Sequence, residues 1–398
     1  MGSSSERHDD QGREKVQCRL CRQWYHRLDV HLNSRHGKSV AEYVKEFSGA
    51  PTISEAARQK AARQKAAESQ GARFKGTPAR PAAMSATPAE GNDDELFKFG
   101  VARLKMRADL SDYDKQFVPV HDEKWIPGAV EQRQLEELAL AMEDDNNCLI
   151  VGPHGIGKST LVIELAAICN QSLRRVGMDG DVRRADYIGE KNVVVDKASG
   201  QAITSWVDGV LPDAAEHGHW LLIDEVDAMP AHIAFVMHGV LEKKRHLALL
   251  GDRGRPVQFH KNFRIIATAN TLGRGDDSGM YAGTNVMNEA FLDRFGVTIR
   301  AEYPAEDTEV NILVLRTGVG REVAKKMVKV AHKIREAFAA EQCFVSVSPR
   351  RLIDWAEKTV RLNDVRRAAK LTVVSKMGTD DSKFVDNVIQ RYFGGEVA

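Results

Sequence analysis

The chain has 398 residues, 42% of them hydrophobic, with 57 basic and 56 acidic side chains and a net charge of +1. That length supports two or three domains, and the apolar content is enough to supply a core. Five cysteines, two of them spaced for a metal, exclude a disulfide framework, and the lack of a signal peptide or long apolar span points to the cytoplasm, with no membrane contact.

The first element in chain order is Cys18-x₂-Cys21-x₉-His31-x₄-His36. Two thiolates and two imidazoles at these spacings suit tetrahedral Zn²⁺, and Tyr25 and Leu28 between the pairs can supply a small apolar core. The pattern resembles the prokaryotic Ros/MucR-type C2H2 zinc finger, with Tyr25 as its aromatic, and the following residues 36–43 look like that family too. Residues 1–90 carry sixteen Lys/Arg and ten Asp/Glu, so this end is basic while the remainder is slightly acidic. A basic finger suits DNA, and small zinc modules also dock on proteins; both partners stay open. The expected finger spans residues 14–50.

Residues 51–92 read as a linker. Ala-Ala-Arg-Gln-Lys occurs twice from Ala56, predicting a solvated helix over 56–67. Pro78, Pro81 and Pro88 among Ala, Gly, Ser and Thr then predict disorder over 69–91.

The most informative stretch is Gly152-Pro153-His154-Gly155-Ile156-Gly157-Lys158-Ser159, which fits the phosphate-binding P-loop. The glycines let consecutive backbone N–H groups face an anion. Lys158 adds charge for the β- and γ-phosphates of ATP, and the Ser159 hydroxyl can ligate Mg²⁺. The apolar run 147–151 before it suits a buried parallel strand, and residues 160–170 after it place Leu161, Leu165 and Ile168 at helical spacing. Strand, loop and helix is the context the motif requires. Thr160, opening the helix beside Ser159, joins the nucleotide-binding set.

Residues 193–206 read as a hairpin turning near Gly200. Trp220-Leu221-Leu222-Ile223-Asp224-Glu225 is a second apolar run ending in carboxylates. Asp224 would sit beside the Mg²⁺ held by Ser159, and Glu225 is placed to polarise the water that attacks the γ-phosphate. A second hairpin is expected over 246–259, turning near Gly251 and Gly254. The strand 263–269 ends in Asn270, an amide able to hold the lytic water opposite Glu225. Arg294 follows a short helical segment, and Arg350 follows Pro349 in the first turn of another. Arginine suits phosphate because its planar fork donates in pairs and stays charged. From Glu306 onward the pattern is helical, over 310–315, 322–340, 350–362 and 383–393.

The order of these elements resembles the AAA+ ATPases, specifically the MoxR-like group and, within it, the CobS-type ATPase subunits of cobalt chelatase. The resemblance runs from about residue 99 to 393. It is carried by residues 267–271, 279–284, 292–295 and 348–350, with Trp355-Ala356-Glu357, and by residues 235–237, 240–242 and 251–253. His154 looks like the chelatase subunit, whereas Pro153 is closer to other MoxR-like proteins. The resemblance implies that Asn270 is sensor 1, Arg294 an arginine finger acting on the neighbouring subunit's nucleotide, and Arg350 sensor 2. It also implies a ring, usually a homo-hexamer, the two hairpins as inserts on its face or pore, and a von Willebrand A-type protein as partner. Without the family, a simple sheet extension explains the hairpins as well.

The expected fold is therefore α/β: an AAA+ P-loop core of parallel sheet, flanking helices and hairpin inserts over 93–305, a helical lid over 306–398, and the small N-terminal finger. The expected function is an ATP-hydrolysing motor that remodels a partner complex, recruited through its finger. A metal chelatase is a candidate for that partner complex; the alternatives are a phage- or DNA-associated remodelling system unrelated to cobalt insertion and a zinc-finger DNA-binding regulator with secondary ATPase activity.

Overall fold

A computed structural model describes residues 16–21, 24–25, 32, 40–47, 96–178, 182–195, 201–271 and 287–394. The expected linker helix, the Pro-containing segment, Leu28, His31, His36 and the 279–284 motif lie outside the described residues. The chain divides into two units, Met1–Ala83 and Met84–Ala398.

In the first unit, β1 (Val16–Gln17) pairs antiparallel with β2 (Trp24–Tyr25), and α1 (Val40–Glu46) follows. Cys18 lies in the turn after β1. Val16, Cys18, Leu32 and Tyr43 are buried together, with Leu20, Cys21 and Phe47 packed against them. The Arg19 N–H donates to the Tyr43 hydroxyl at 2.8 Å, which ties the cysteine-bearing turn to the helix. Tyr43 is thus a core residue of this module that spacing between the cysteine and histidine pairs did not reveal.

The second unit opens with an antiparallel ribbon, β3 (Leu96–Phe99) and β4 (Ala102–Lys105), then α2 (Asp112–Lys115) and α3 (Ala129–Glu143). Alternating strands and helices follow: β5 (Cys148–Val151), α4 (Lys158–Ile168), β6 (Leu173–Gly177), α5 (Arg184–Ile188), β7 (Gly189–Val195), β8 (Ala202–Asp208), α6 (Val210–His217), β9 (Trp220–Asp224), α7 (Ala231–Val240), β10 (Ala248–Leu249), β11 (Arg255–Pro256), β12 (Arg264–Ala269), α8 (Glu289–Leu292) and β13 (Val297–Arg300). Five of the strands form one parallel sheet in the order β13-β5-β12-β9-β6.

Every residue of β5 and β9 is buried, as expected when both faces of a sheet are covered. Alternation sorts the side chains. Leu149, Val151, Leu221 and Ile223 join a core with Leu211 of α6 and Met237 of α7. Cys148, Ile150 and Leu222 join the opposite core with Leu138 of α3 and Leu165 of α4. Burial holds the Cys148 and Cys169 thiols far above their ordinary range, the latter at about 12, which makes both inert packing residues.

Both expected hairpins form. β7 pairs with β8 and β10 with β11, each as a separate two-stranded ribbon rather than an extension of the main sheet. Val193 and Val195 stand exposed on the first ribbon.

A third core belongs to the helices after the sheet: α9 (Glu306–Thr317), α10 (Arg321–Ala339), α11 (Pro349–Leu362), α12 (Val365–Thr372) and α13 (Thr379–Phe393). Trp355 and Phe393 meet edge-to-face at 5.8 Å. The Arg335 guanidinium donates in a fork to buried Glu309, at 2.9 and 2.8 Å, locking α10 to α9. Helix α12 was not expected from the sequence. Its signal is local: the Asp364 side chain accepts from the N–H groups of Arg366 and Arg367 as an N-cap.

Candidate nucleotide site

The sheet delivers its functional residues to the carboxyl ends of β5, β9 and β12, where open α/β sheets bind ligands. The loop after β5 is a close approach of backbones. A Cβ on Gly152 would fall 2.5 Å from the Ala301 carbonyl oxygen, and one on Gly155 would fall 2.7 Å from Ser348 Oγ. Gly155 and Gly157 also adopt positive φ, at 74° and 102°, which other residues reach at a cost. Gly157 caps α4, so Lys158 and Ser159 are the first two residues of that helix.

Lys158 Nζ donates to the Gly152 and Pro153 carbonyls at 2.6 and 3.0 Å, and to Asn270 Oδ1 at 2.8 Å. Burial pulls its ammonium down to about 8, against the opposing pull of Asp227, Glu225 and Asp224. Ser159 Oγ donates to Asp224 Oδ1 at 2.6 Å. Thr268 Oγ1 donates to the same oxygen at 2.9 Å, and itself accepts the Glu225 N–H at 3.2 Å. Arg175, on neighbouring β6, donates through Nε to Asp224 Oδ2. Glu225 has left-handed backbone, φ 58° and ψ 47°, and an exposed side chain. A non-glycine residue held there turns the chain sharply off β9, a strain that concentrates at functional positions.

The expected residues therefore converge: Lys158, Ser159, Asp224, Asn270 and, beside them, Glu225. Arg350 joins from the helical region. Its N–H donates to the Gly155 carbonyl at 3.4 Å, and its guanidinium lies 3.5 Å from His154 Nε2. Burial, then the charges of Arg350 and Lys158, lowers the His154 imidazole below its usual range, so it meets the arginine as a neutral ring. Arg294 stands apart. Its guanidinium donates to the Ala290 carbonyl and approaches Glu242 at 3.8 Å, beside a cavity of about 410 Å³. None of these contacts involves the 152–159 loop.

Three participants went unread in the sequence. Thr268 lies inside the strand run that was read only for its terminal Asn270. Arg175 carries no local signal, because only strand pairing brings β6 beside Asp224. Fully buried Asp227 accepts from the N–H groups of Asn270 and Thr271 at 2.9 and 3.0 Å, fixing the turn that presents the amide. Its signal was a third carboxylate two residues after Glu225.

Comparison with known proteins identifies the family. The AAA domain of the dynein-related subfamily matches residues 147–295, and the CbbQ/NirQ/NorQ C-terminal domain matches 309–391. Aerobic cobaltochelatase subunit CobS from Sinorhizobium sp. is 37% identical over 254 residues, covering 63% of this chain and 76% of that protein. The chain belongs to the AAA+ ATPases, of the MoxR/CobS type. An uncharacterised protein of Staphylococcus aureus strain USA300 is 27% identical over 259 residues, covering 64% of this ATPase and 94% of its own length. Among solved structures, the RuvB Holliday junction branch migration motor of Thermotoga maritima overlaps 71% of this chain and 82% of its own, with a TM-score of 0.43 and 14% identity. As a P-loop member of this family, the protein is an ATPase, and the family implies nucleotide and Mg²⁺ as its ligands. Among the described residues, no helix is long and apolar enough to cross a membrane.

Proposed function

We propose that this ATPase is a ring motor, a homo-hexamer that remodels a partner complex by ATP hydrolysis between its subunits. The division into a finger over 14–50, a linker over 51–92, a core over 93–305 and a lid over 306–398 belongs to this reading. Ser159 and Asp224 would hold Mg²⁺, a reading supported by the 2.6 Å between Ser159 Oγ and Asp224 Oδ1, close enough for both to ligate one ion. When bound, that ion neutralises charge on the β- and γ-phosphate oxygens. Residues 152–160 would cradle the phosphates, with Lys158 leaving its loop carbonyls to meet them. Glu225 would take the proton of the attacking water as the bond from the γ-phosphorus to ADP breaks. Asn270 would hold that water, and Arg350 would sense the phosphate from the lid.

What supports a shared site is the separation of the two arginines. Arg350 lies against the loop of its own chain, while Arg294 makes its contacts with Ala290 and Glu242. An arginine finger completes a site on the next copy and stabilises charge developing on the transferred phosphoryl group. The test is a mixing experiment. Arg294→Ala and Lys158→Ala subunits should each be inactive alone and regain part of the ATPase activity when combined, because some interfaces then pair an intact loop with an intact arginine. No recovery in mixed particles of ring size would overturn the shared site.

The relative's name makes a metal chelatase the first partner class to examine, and the resemblance read from the sequence adds a von Willebrand A-type protein. The finger belongs to the proposal as well. Cys18, buried, and Cys21, partly buried, flank one turn and would supply two thiolate ligands to Zn²⁺. His31 and His36 would complete the set. Its recruitment target, DNA or protein, separates the motor reading from a DNA-binding regulator.

A further inference from the structure

A second cluster of ligating side chains lies at the other end of the sheet, before β9 rather than after it. Helix α6 ends at His217, Gly218 turns the chain with φ 71°, and His219 leads into β9. This reversal stacks the two imidazoles at 5.6 Å with 6° between their planes. Asp114 of α2 faces both. Its Oδ2 is occupied by the Ser111 hydroxyl and N–H, at 2.8 and 3.2 Å. Its Oδ1 lies 3.1 Å from His217 Nδ1 and 3.6 Å from His219 Nε2. The three ligand atoms are all within 4.8 Å of one another.

Two observations separate this cluster from an ordinary polar patch. First, His219 is fully buried, and its Nε2, aimed into the cluster, has no hydrogen-bond partner. A buried polar atom left unpaired is costly unless something meets it. Second, the other ring nitrogen is already fixed. His219 Nδ1 lies 2.6 Å from Ser172 Oγ, which also receives the Arg107 guanidinium at 2.9 Å. Such an outer contact orients a metal-binding imidazole and leaves Nε2 to the ion. The Arg107 charge, 4.0 Å from Asp114 Oδ2, is offset by Asp109 at 3.1 Å.

We propose that Asp114 Oδ1, His217 Nδ1 and His219 Nε2 bind one divalent ion of the Zn²⁺ class, separate from both the nucleotide site and the N-terminal finger. Tetrahedral Zn²⁺ with ligands near 2.0–2.1 Å sets neighbouring ligand atoms about 3.3 Å apart, within the range of the two distances around Asp114. His217 is half-exposed, which gives the ion an entry path and leaves a fourth position to water. The ion would staple the segment carrying α2 to the corner between α6 and β9. Its role is structural, because the carboxyl ends of the strands hold the nucleotide residues.

The test uses the full-length chain carrying Cys18→Ser and Cys21→Ser, without nucleotide and in excess Mg²⁺. After equilibration with ZnCl₂ and desalting, one zinc per chain should remain and the melting temperature should rise with zinc. His217→Ala and Asp114→Asn in that background should each weaken zinc retention by at least about tenfold. His217→Ala alters an accessible side chain, so its zinc-free melting temperature should match the parent and report an intact fold. No retained zinc in the parent, or undiminished zinc in His217→Ala, would overturn the proposal.

Discussion

The two ends of the central sheet handle buried polar groups differently. At the carboxyl end, Lys158 and Arg175 rest on partners that a ligand can replace. Lys158 rests on loop carbonyls, and Arg175 rests on the carboxylate that faces Ser159. At the amino end, the partners of Arg107 are fixed groups of the fold. Buried Arg107 donates to Ser172 Oγ, to the Gly218 carbonyl and to the His217 carbonyl, at 2.9, 2.8 and 2.8 Å. One sheet thus separates a face built to exchange partners from a face built to hold them. The difference follows from parallel topology, which opens the loops after the strands toward ligand and leaves the loops before them to stability.

The largest expected effect lies at the carboxyl end. Glu225→Gln should retain ATP binding and lose about 10²–10⁴-fold in turnover, since an amide cannot accept the proton. Steady-state hydrolysis together with a nucleotide-binding titration checks this, and wild-type turnover in Glu225→Gln would remove Glu225 from its assigned role.

The same comparison predicts the reverse pattern at the amino end. Arg107→Met should cost about 3–5 kcal/mol of stability by orphaning its buried acceptors. ATP turnover per folded chain should change little, because none of those acceptors lies at the nucleotide end. Denaturant unfolding and ATPase assays on the folded fraction separate the two readouts. A stable but inactive variant would break the division between the ends.

The smallest effect is a pH dependence. Lys158 is depressed to about 8 in the free protein, and phosphate oxygens would raise it again. Below about pH 8 the ammonium is already charged, so affinity should be flat. Above it, binding must take up a proton, and ATP affinity should fall by up to about tenfold per pH unit until the bound-state value is reached. Titrations of ATP from pH 7 to 10 measure this. A flat profile through pH 9.5 would mean that burial does not depress the lysine in this way.

These predictions draw unequally on sequence. The P-loop was legible because its chemistry is local: glycines, lysine and serine must be consecutive for one turn to bind an anion. Asp224, Glu225 and Asn270 were legible because each ends an apolar run, and a buried strand delivers its terminal side chains to a predictable edge. Arg350 followed from Pro349, which marks a helix start. Arg175 was not legible, and Asp227 showed only as a third carboxylate after Glu225. An arginine in Leu173–Gly177 looks like any strand residue until β6 pairs with β9 and puts it beside Asp224. His217 and His219 also escaped, because a His-Gly-His triplet gives no sign that a carboxylate about a hundred residues earlier will face it.

By itself, then, the sequence determined the class of fold, the apolar strands that end at the P-loop, Asp224 and Asn270, and the helical character of the chain after Glu306. Periodicity, turn chemistry and short motifs are set by neighbours in the chain, and neighbours are what a sequence displays. Tertiary structure alone decided strand order, the Arg175–Asp224 contact, the turn of Arg294 away from the loop of its own chain, and the assembly of Asp114 with two histidines. Those depend on which segments pair across the sheet, and pairing is settled by burying both faces of the central strands at once.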